Sequence, residues 1–261
     1  MQKRRLILII VAYHPASGEV HRLRSCLQEL GDDIGYVVVA NDYRQSEPVD
    51  LLAEQADLFI RSPDNLGYGA AVNHGLSKLT EKPDYIAALN TDLSWQHATF
   101  ESIIQWLDLN PDVSLATPAI LDQDQQIQYL CKRNPTILAL FSRRFWPKRL
   151  KPAWLRRYDD WYVMLDHDYS TVFSAPYLSG CCMVTRCNSF IQAGGFDEKY
   201  FLYLEDADLT RSMSRYGQCV HFPDASVVHD WGRGNYRSVF LALVNLKSAW
   251  TYFLKWGLSW Y

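Results

Sequence analysis

Runs of strand character alternate with runs of helical spacing through the first half of the 261-residue chain, and this rhythm limits the fold more than any single motif. Apolar stretches at 6–12, 36–40, 58–61, 85–89 and 113–117 read as buried strands. Between them, 19–30, 51–55, 69–79 and 99–109 carry helical spacing, with stops at Gly31 and Pro83. Such alternation argues for an α/β chain built on a parallel sheet with helices on both faces. In these sheets ligands lie beyond the carboxyl ends of the strands. Asn41-Asp42, Asn65-Leu66-Gly67 and Asn90-Thr91-Asp92 fall at those ends, so one rim is expected to hold all three.

The rhythm breaks between about 131 and 170. Here Arg143, Arg144, Lys148, Arg149, Lys151, Arg156 and Arg157 are interleaved with Phe145, Trp146 and Trp154, and no acid separates them. A segment of this kind is either a solvated, mobile insertion or a surface suited to anionic lipid or a lipid-linked pyrophosphate. Regular signals return with a strand at 177–185, a helix at 204–216 stopped by Gly217, and short strands at 218–222 and 226–228. From 236 to 261, Trp, Tyr and Leu build an amphipathic helix. Its rings, with Lys247 and Lys255, suit a bilayer interface, a face of the domain, or a second subunit in a homodimer.

A chain of this length can bury one sizeable core. The formal net charge of −3 gives no reason to expect nucleic acid as a partner. Six cysteines without a CxxC pair argue against structural zinc and fit a reducing cytoplasm. Lys3-Arg4-Arg5 before an apolar run imitates a signal peptide, but Tyr13-His14-Pro15 follows instead of a small-residue cleavage site, so the run reads as a first strand. No stretch reaches the roughly 18 uncharged residues of a membrane-spanning helix. The 14% aromatic content fits sugar stacking, an interfacial belt or a large aromatic core.

Four segments carry chemistry. In Asn65-Leu66-Gly67-Tyr68-Gly69-Ala70-Ala71-Val72-Asn73-His74-Gly75, the glycines let backbone approach a ligand at a helix N-terminus, though a tight turn would look similar. Asn90-Thr91-Asp92 closes a strand with a carboxylate that serves either as a Mg2+ or Mn2+ ligand or as an Asx turn or N-cap. Gly194-Gly195-Phe196-Asp197 leads through an aromatic run to Glu205-Asp206-Ala207-Asp208, whose acids open a helix. At least one of them should face the rim as a general base while Leu209 and Met213 face the core. Val228-His229-Asp230-Trp231-Gly232-Arg233-Gly234 places an imidazole at a strand end before a flexible basic loop, suited to a metal or a pyrophosphate.

Taken in order, these segments closely resemble the family 2 glycosyltransferases of GT-A fold, in particular a bacterial rhamnosyltransferase-like branch that builds surface polysaccharides. The likeness runs from Leu6 to about Lys255. Asn65 to Gly75 resembles the nucleotide-sugar loop, and Leu89-Asn90-Thr91-Asp92 a variant of the DXD metal motif. Tyr177-Leu178-Ser179-Gly180-Cys181-Cys182-Met183 resembles the donor-sugar strand, and Gly194 to Asp208 the acceptor loop with its ED pair. His229-Asp230-Trp231-Gly232-Arg233 resembles the late histidine motif, and Ser248 to Gly257 the branch's C-terminal helix.

The resemblance implies a catalytic domain over 1–235, with a nucleotide-binding half at 1–120 and an acceptor-binding half at 121–235, and an appended helix at 236–261. It implies Asp206 as catalytic base with Glu205 beside it, and Asp92 and His229 as ligands of Mg2+ or Mn2+. Donor contacts are expected from Ala12, Tyr13, Asn41, Asp42, Asn65, Gly67, Tyr68, Gly69, Asn73, Asn90, Thr91 and Arg233. Ser179, Gly180, Phe196, Asp197 and Tyr203 are expected on the acceptor side. The chain departs from the family at its second strand, where Asn41-Asp42-Tyr43-Arg44 replaces an acidic pair followed by Gly-Ser.

The expected reaction is inverting transfer, with L-rhamnose from dTDP-rhamnose as donor, onto a glycan or lipid-linked hydroxyl at the inner face of the plasma membrane. A UDP-hexose donor and a non-catalytic glycan-binding relative are the alternatives. A nucleotidyltransferase would need a basic Gly-rich loop after the first strand, and Val11-Ala12-Tyr13-His14-Pro15-Ala16 supplies none.

Overall fold

The first strand, β1 (Leu6–Ala12), is buried along its whole length, and its side chains divide by parity between two cores. Leu6, Leu8, Ile10 and Ala12 join one cluster, whereas Ile7, Ile9 and Val11 join the other. A strand with no polar face has to lie inside a sheet covered on both sides, which is how parallel sheets are built. Each fully buried Leu or Ile contributes roughly 1.5–3 kcal/mol, so this strand alone fixes the centre of the molecule.

The computed structural model describes residues 4–230 and 239–261. β1 pairs in parallel with β2 (Ile34–Ala40) and β4 (Tyr85–Asn90), and β2 with β3 (Leu58–Arg61). β5 (Leu93–Trp95), β6 (Val113–Leu121), β7 (Phe173–Ser174), β8 (Cys182–Arg186) and β9 (Gln218–His229) complete a sheet of order β3-β2-β1-β4-β8-β6-β9-β5, with β7 on β9. β8 runs antiparallel between β4 and β6, and β5 and β7 run antiparallel to β9, so the sheet is mostly parallel. The helices are α1 (Ser17–Gln28), α2 (Tyr68–Ser77), α3 (Thr99–Leu109), α4 (Ile137–Phe145), α5 (Ala153–Tyr162), α6 (Cys187–Gln192), α7 (Glu205–Met213) and α8 (Val239–Trp256).

Several elements differ from the sequence reading. The helix expected at 51–55 is a 3-10 turn at Pro48–Leu52. The strand expected at 177–185 begins only at Cys182, because the chain turns at Gly180 and Cys181. The two short strands at 218–222 and 226–228 are one strand, β9, whose register shifts where Phe222 gives way to Ser226. Pro223 sits in that shift, and a bulge is one of the few places a proline is tolerated in a sheet.

The basic segment folds into a pair of helices. Thr136 caps α4 by accepting from the Ala139 amide, and the Ser142 hydroxyl donates to Asp159 of α5. Lys151 also pairs with Asp159. The tail helix begins at Val239 in the described residues, while 236–238 lie outside them.

One face of α8 packs onto the domain through Tyr252 and Phe253, against Tyr200, Leu204 and Ala207. Asp208, 1% exposed, accepts from Lys255 Nζ at 2.8 Å, Trp256 Nε1 at 2.7 Å and the Tyr200 hydroxyl at 3.3 Å. The other face leaves Phe240, Leu243, Leu246, Trp250 and Leu254 exposed. Among the described residues no helix is long and apolar enough to cross a membrane.

Candidate active site

Two consecutive residues in the left-handed region, Tyr203 (φ 70°) and Leu204 (φ 65°), turn the chain into α7. Non-glycine residues adopt this region at a cost of about 1–3 kcal/mol each, and such turns cluster at functional sites. The turn buries Leu204 and brings Glu205 and Asp206 to the first turn of α7, where the helix dipole favours negative charge. Leu209 and Met213 point into the core from the same helix.

Asp206 is held at both oxygens. Its Oδ2 accepts from the Gly180 amide at 3.0 Å and its Oδ1 from the Ala207 amide at 2.9 Å. A Cβ on Gly180 would stand 3.0 Å from the Asp206 Cβ, so glycine permits this approach. The Gly180 carbonyl accepts from the Tyr68 hydroxyl at 2.6 Å, joining the Gly67 loop to the same point.

Glu205 is buried, and one of its oxygens has no hydrogen-bond partner. Burial first, and the neighbouring Asp206 charge second, push its pKa up to about 8. At neutral pH it is mostly a neutral acid.

β9 runs beside β5, and the Asp230 amide donates to the Asp92 carbonyl at 2.9 Å. That pairing sets His229 Nε2 3.2 Å from Asp92 Oδ2. The Gln128 side chain braces the position by donating to the His229 carbonyl at 2.9 Å. Close as they are, the imidazole and carboxylate are not aligned as a hydrogen bond. Asp92 Oδ1 and both ring nitrogens of His229 are buried without a hydrogen-bond partner.

Orphaned buried donors and acceptors are costly, and a divalent cation would satisfy this oxygen and nitrogen pair. The residues therefore fit Mg2+ or Mn2+ held by few protein ligands, with substrate oxygens completing the shell. Among the described residues no group of three or more His, Cys, Asp or Glu closes around a metal ion.

A cleft of about 430 Å³ brings the two walls together. Of the expected residues, Tyr68, Asn90, Ser179, Gly180, Tyr203, Glu205, Asp206 and His229 line it. Asp92 meets it through His229, and Cys181, on the cleft wall, feels the charges of both Asp92 and Asp206.

The other expected residues among those described are not on the lining of this cleft. Asn41 is buried and pins the Gly67 loop, donating to Asn65 Oδ1 at 3.1 Å and accepting from the Leu66 amide at 3.0 Å. The Asn65 carboxamide oxygen also accepts from the Gly67 amide. Gly67 has φ 84°, and a Cβ there would meet the Phe201 carbonyl oxygen at 2.3 Å, so this loop needs glycine.

Ala12 is buried at the end of β1, its carbonyl accepting from the Asn41 amide, while Tyr13 is exposed and Thr91 lies partly exposed on the rim. Asp42 is engaged by His14 Nε2 at 3.0 Å, and that hydrogen bond holds its pKa below the usual carboxylate range.

Phe196, expected on the acceptor side, is 1% exposed, edge-on to Tyr68 and pressed against Gly69. Asn73 exchanges hydrogen bonds with the Phe196 backbone and so fixes that loop. Asp197 pairs with Lys255 at 3.0 Å. Arg233 lies outside the described residues.

The cleft also holds Lys132, Tyr162 and Asn245, to which the sequence reading gave no role, together with Arg143 of the basic segment and Tyr177 of the strand-like run before Gly180. Lys132 follows the run Tyr129-Leu130-Cys131 and precedes Arg133, so nothing in its local sequence sets it apart from a solvated basic pair. Its partner Tyr177 lies 45 positions later, so only the fold reveals the pairing.

Known proteins bear on this geometry. The mycobacterial N-acetylglucosaminyl-diphospho-decaprenol L-rhamnosyltransferase of Mycobacterium tuberculosis is 28% identical over 209 residues, covering 71% of this chain. The chain spans 66% of the length of that relative. Rhamnosyltransferase WbbL of Escherichia coli K12 is 23% identical over 242 residues, 90% of this chain and 87% of its own.

Among solved structures, the mannosyltransferase PcManGT of Pyrobaculum calidifontis with GDP-Man and Mn2+ superposes with TM-score 0.64 at 16% identity, over 97% of this chain and 64% of that one. GalNAc-T7 with UDP, GalNAc and Mn2+ gives 0.69 at 12% identity, over 98% and 48%. These likenesses establish the fold as GT-A. The model of glycosyl transferase family 2 matches residues 8–191, and the chain belongs to that family.

Proposed function

We propose that the chain transfers a sugar, L-rhamnose from dTDP-rhamnose in the first instance, onto a hydroxyl of a lipid-linked sugar with inversion at the anomeric carbon. The observation that carries this reading is a single cleft lined by both Asp206 and His229, whose ring lies 3.2 Å from Asp92. The relatives in Mycobacterium tuberculosis and Escherichia coli support the choice of sugar, and the first of them the lipid diphosphate acceptor.

In this reading Asp206 accepts the proton of the attacking hydroxyl. The Gly180 and Ala207 amides keep its carboxylate oriented while leaving lone pairs toward the cleft. Glu205, kept neutral by burial, adds no second charge beside the base. Asp92 and His229 would hold the divalent cation, which supplies positive charge against the leaving diphosphate. Tyr68 fixes the Gly67 loop and the Gly180 turn relative to one another, so donor and base keep their spacing.

The exposed aromatics of α8 and the basic helices α4 and α5 support peripheral contact with an anionic bilayer, where a lipid-linked acceptor would reside. Flotation with phosphatidylglycerol liposomes tests this second point, and protein that stays with the pellet at low salt would overturn it. Nucleotide release across a panel of donors, with and without a sugar-diphospho-lipid, tests the first. Acceptor-dependent dTDP release supports rhamnosyl transfer, and release of UDP alone redirects the donor.

A further inference from the structure

The acceptor wall of the cleft carries cations that no carboxylate neutralises. Lys132 leaves β6 toward α4, and its backbone pairs with Tyr177 in both directions, at 2.8 and 3.1 Å. The pairing draws the ammonium over the Tyr177 ring, 4.1 Å from its centroid. Among the described residues that ammonium has no hydrogen-bond or ion-pair partner. Burial lowers its pKa, and the Asp206 charge opposes the shift.

Arg143, on α4, lines the same cleft with only the Tyr162 ring, 5.9 Å away, as a described contact. The acids of the cleft are Glu205, held mostly neutral by burial, and Asp206, whose charge favours the Lys132 ammonium without forming an ion pair with it. Arg143 is exposed, whereas Lys132 is half-buried with no hydrogen-bond partner for its ammonium among the described residues, and a ligand that brings negative charge would supply one.

We propose that Lys132 and Arg143 form a subsite for the diphosphate of a lipid-linked acceptor, placing the attached sugar's hydroxyl at Asp206. This rests on the transfer reading above and names the feature of the acceptor that is recognised. The subsite stands on the Asp206 wall, whereas the donor diphosphate is assigned to the Asp92–His229 wall. Residues of both α4 and α8 line the cleft, and the Ile137 and Leu138 amides at the start of α4 donate to the Ser259 and Trp260 carbonyls of the segment after α8. α4 and α8, which give Leu140, Arg143 and Asn245 to the cleft lining, also carry exposed Phe141, Phe145, Leu246 and Trp250, apolar surface suited to a polyprenyl chain.

The test is binding of farnesyl diphosphate and of farnesol to the full chain, saturated beforehand with dTDP and Mn2+ so that the donor wall is filled. The wild type should bind farnesyl diphosphate at least about tenfold more tightly than farnesol. Lys132→Met with Arg143→Gln should remove most of that preference while the affinity for dTDP changes less than about twofold. Arg143→Gln alone, at an exposed side chain, should reduce it in part and guards against a misfolded double variant.

Equal binding of the two lipids by the wild type, or a preference unchanged in the variants, overturns the subsite. So does a parallel loss of dTDP affinity, which would return the cations to the donor. Because binding needs no turnover, a chain that shows this pattern yet releases no nucleotide from any donor keeps the subsite and refutes the transfer reading.

Discussion

The Gly180 amide reaches Asp206 Oδ2 over 3.0 Å, and no side chain stands between the two backbones. A methyl group at position 180 would press on the Asp206 Cβ at 3.0 Å and push the carboxylate off its amide. Gly180→Ala should therefore lower kcat by about 10- to 100-fold, the penalty for a small misplacement of a reacting group. Nucleotide affinity, measured by calorimetry, should stay within about twofold, since the donor wall is untouched.

His229 and Asp92 leave three buried polar atoms without hydrogen bonds. If a cation is what satisfies them, His229→Ala and Asp92→Ala should each weaken Mn2+-dependent dTDP binding by about 10- to 100-fold. Binding measured in EDTA should be weak for all three proteins. Equal Mn2+ enhancement in wild type and variants would remove the metal from this pair.

Glu205 makes a pH prediction with a definite sign. Its folded pKa of about 8 lies above the ordinary 4.5, so the folded state binds its proton more tightly. The stabilisation is complete below about pH 4.5 and is lost as pH rises through about 8. Between about pH 6 and 9 the wild type should lose Tm relative to Glu205→Gln, whose amide does not titrate. Parallel Tm curves for the two proteins would contradict the buried neutral acid.

The tail is held by a buried charge. Asp208 is 1% exposed and takes the Lys255 ammonium at 2.8 Å. Burial opposes the charge on Lys255, but the hydrogen bonds to Asp208 and Asp197 prevail and raise its pKa. Lys255→Met strands part of the Asp208 charge while its bonds to Tyr200 and Trp256 remain. It should cost about 2 kcal/mol, or roughly 4–8 °C in Tm by calorimetry. A change below about 1 °C would show that α8 is anchored by its apolar face alone.

Much of this architecture was legible because strand and helix signals were separated by clear turns. β1, β3 and α3 fall where the sequence places them, each bounded by polar or turn-forming residues. β5 escaped because three residues carry no periodicity, and its identity comes from pairing with β9. β9 looked like two strands because Pro223 interrupts the pattern, and only neighbouring strands show that the interruption is a bulge. The basic segment seemed unstructured because its helices are held by single polar contacts, such as Ser142 with Asp159, more than by a long apolar stripe.

In the cleft, the acids stood out through their local motifs. Asn41, Asn73 and Phe196 belong to the same motifs but brace loops, a distinction that depends on side-chain partners far along the chain. Lys132 was invisible for the same reason, since its meaning comes from Tyr177 and Asp206.

The account turns on Asp206 as the base, and Asp206→Asn is the shortest route to it. With wild-type and variant chains supplied with dTDP-rhamnose, Mn2+ and a sugar-diphospho-lipid, the variant's kcat should fall by ~10²–10⁴-fold while dTDP affinity and Tm stay close to wild type. Turnover within about threefold of wild type would contradict the assignment and, with it, the proposed division of the cleft.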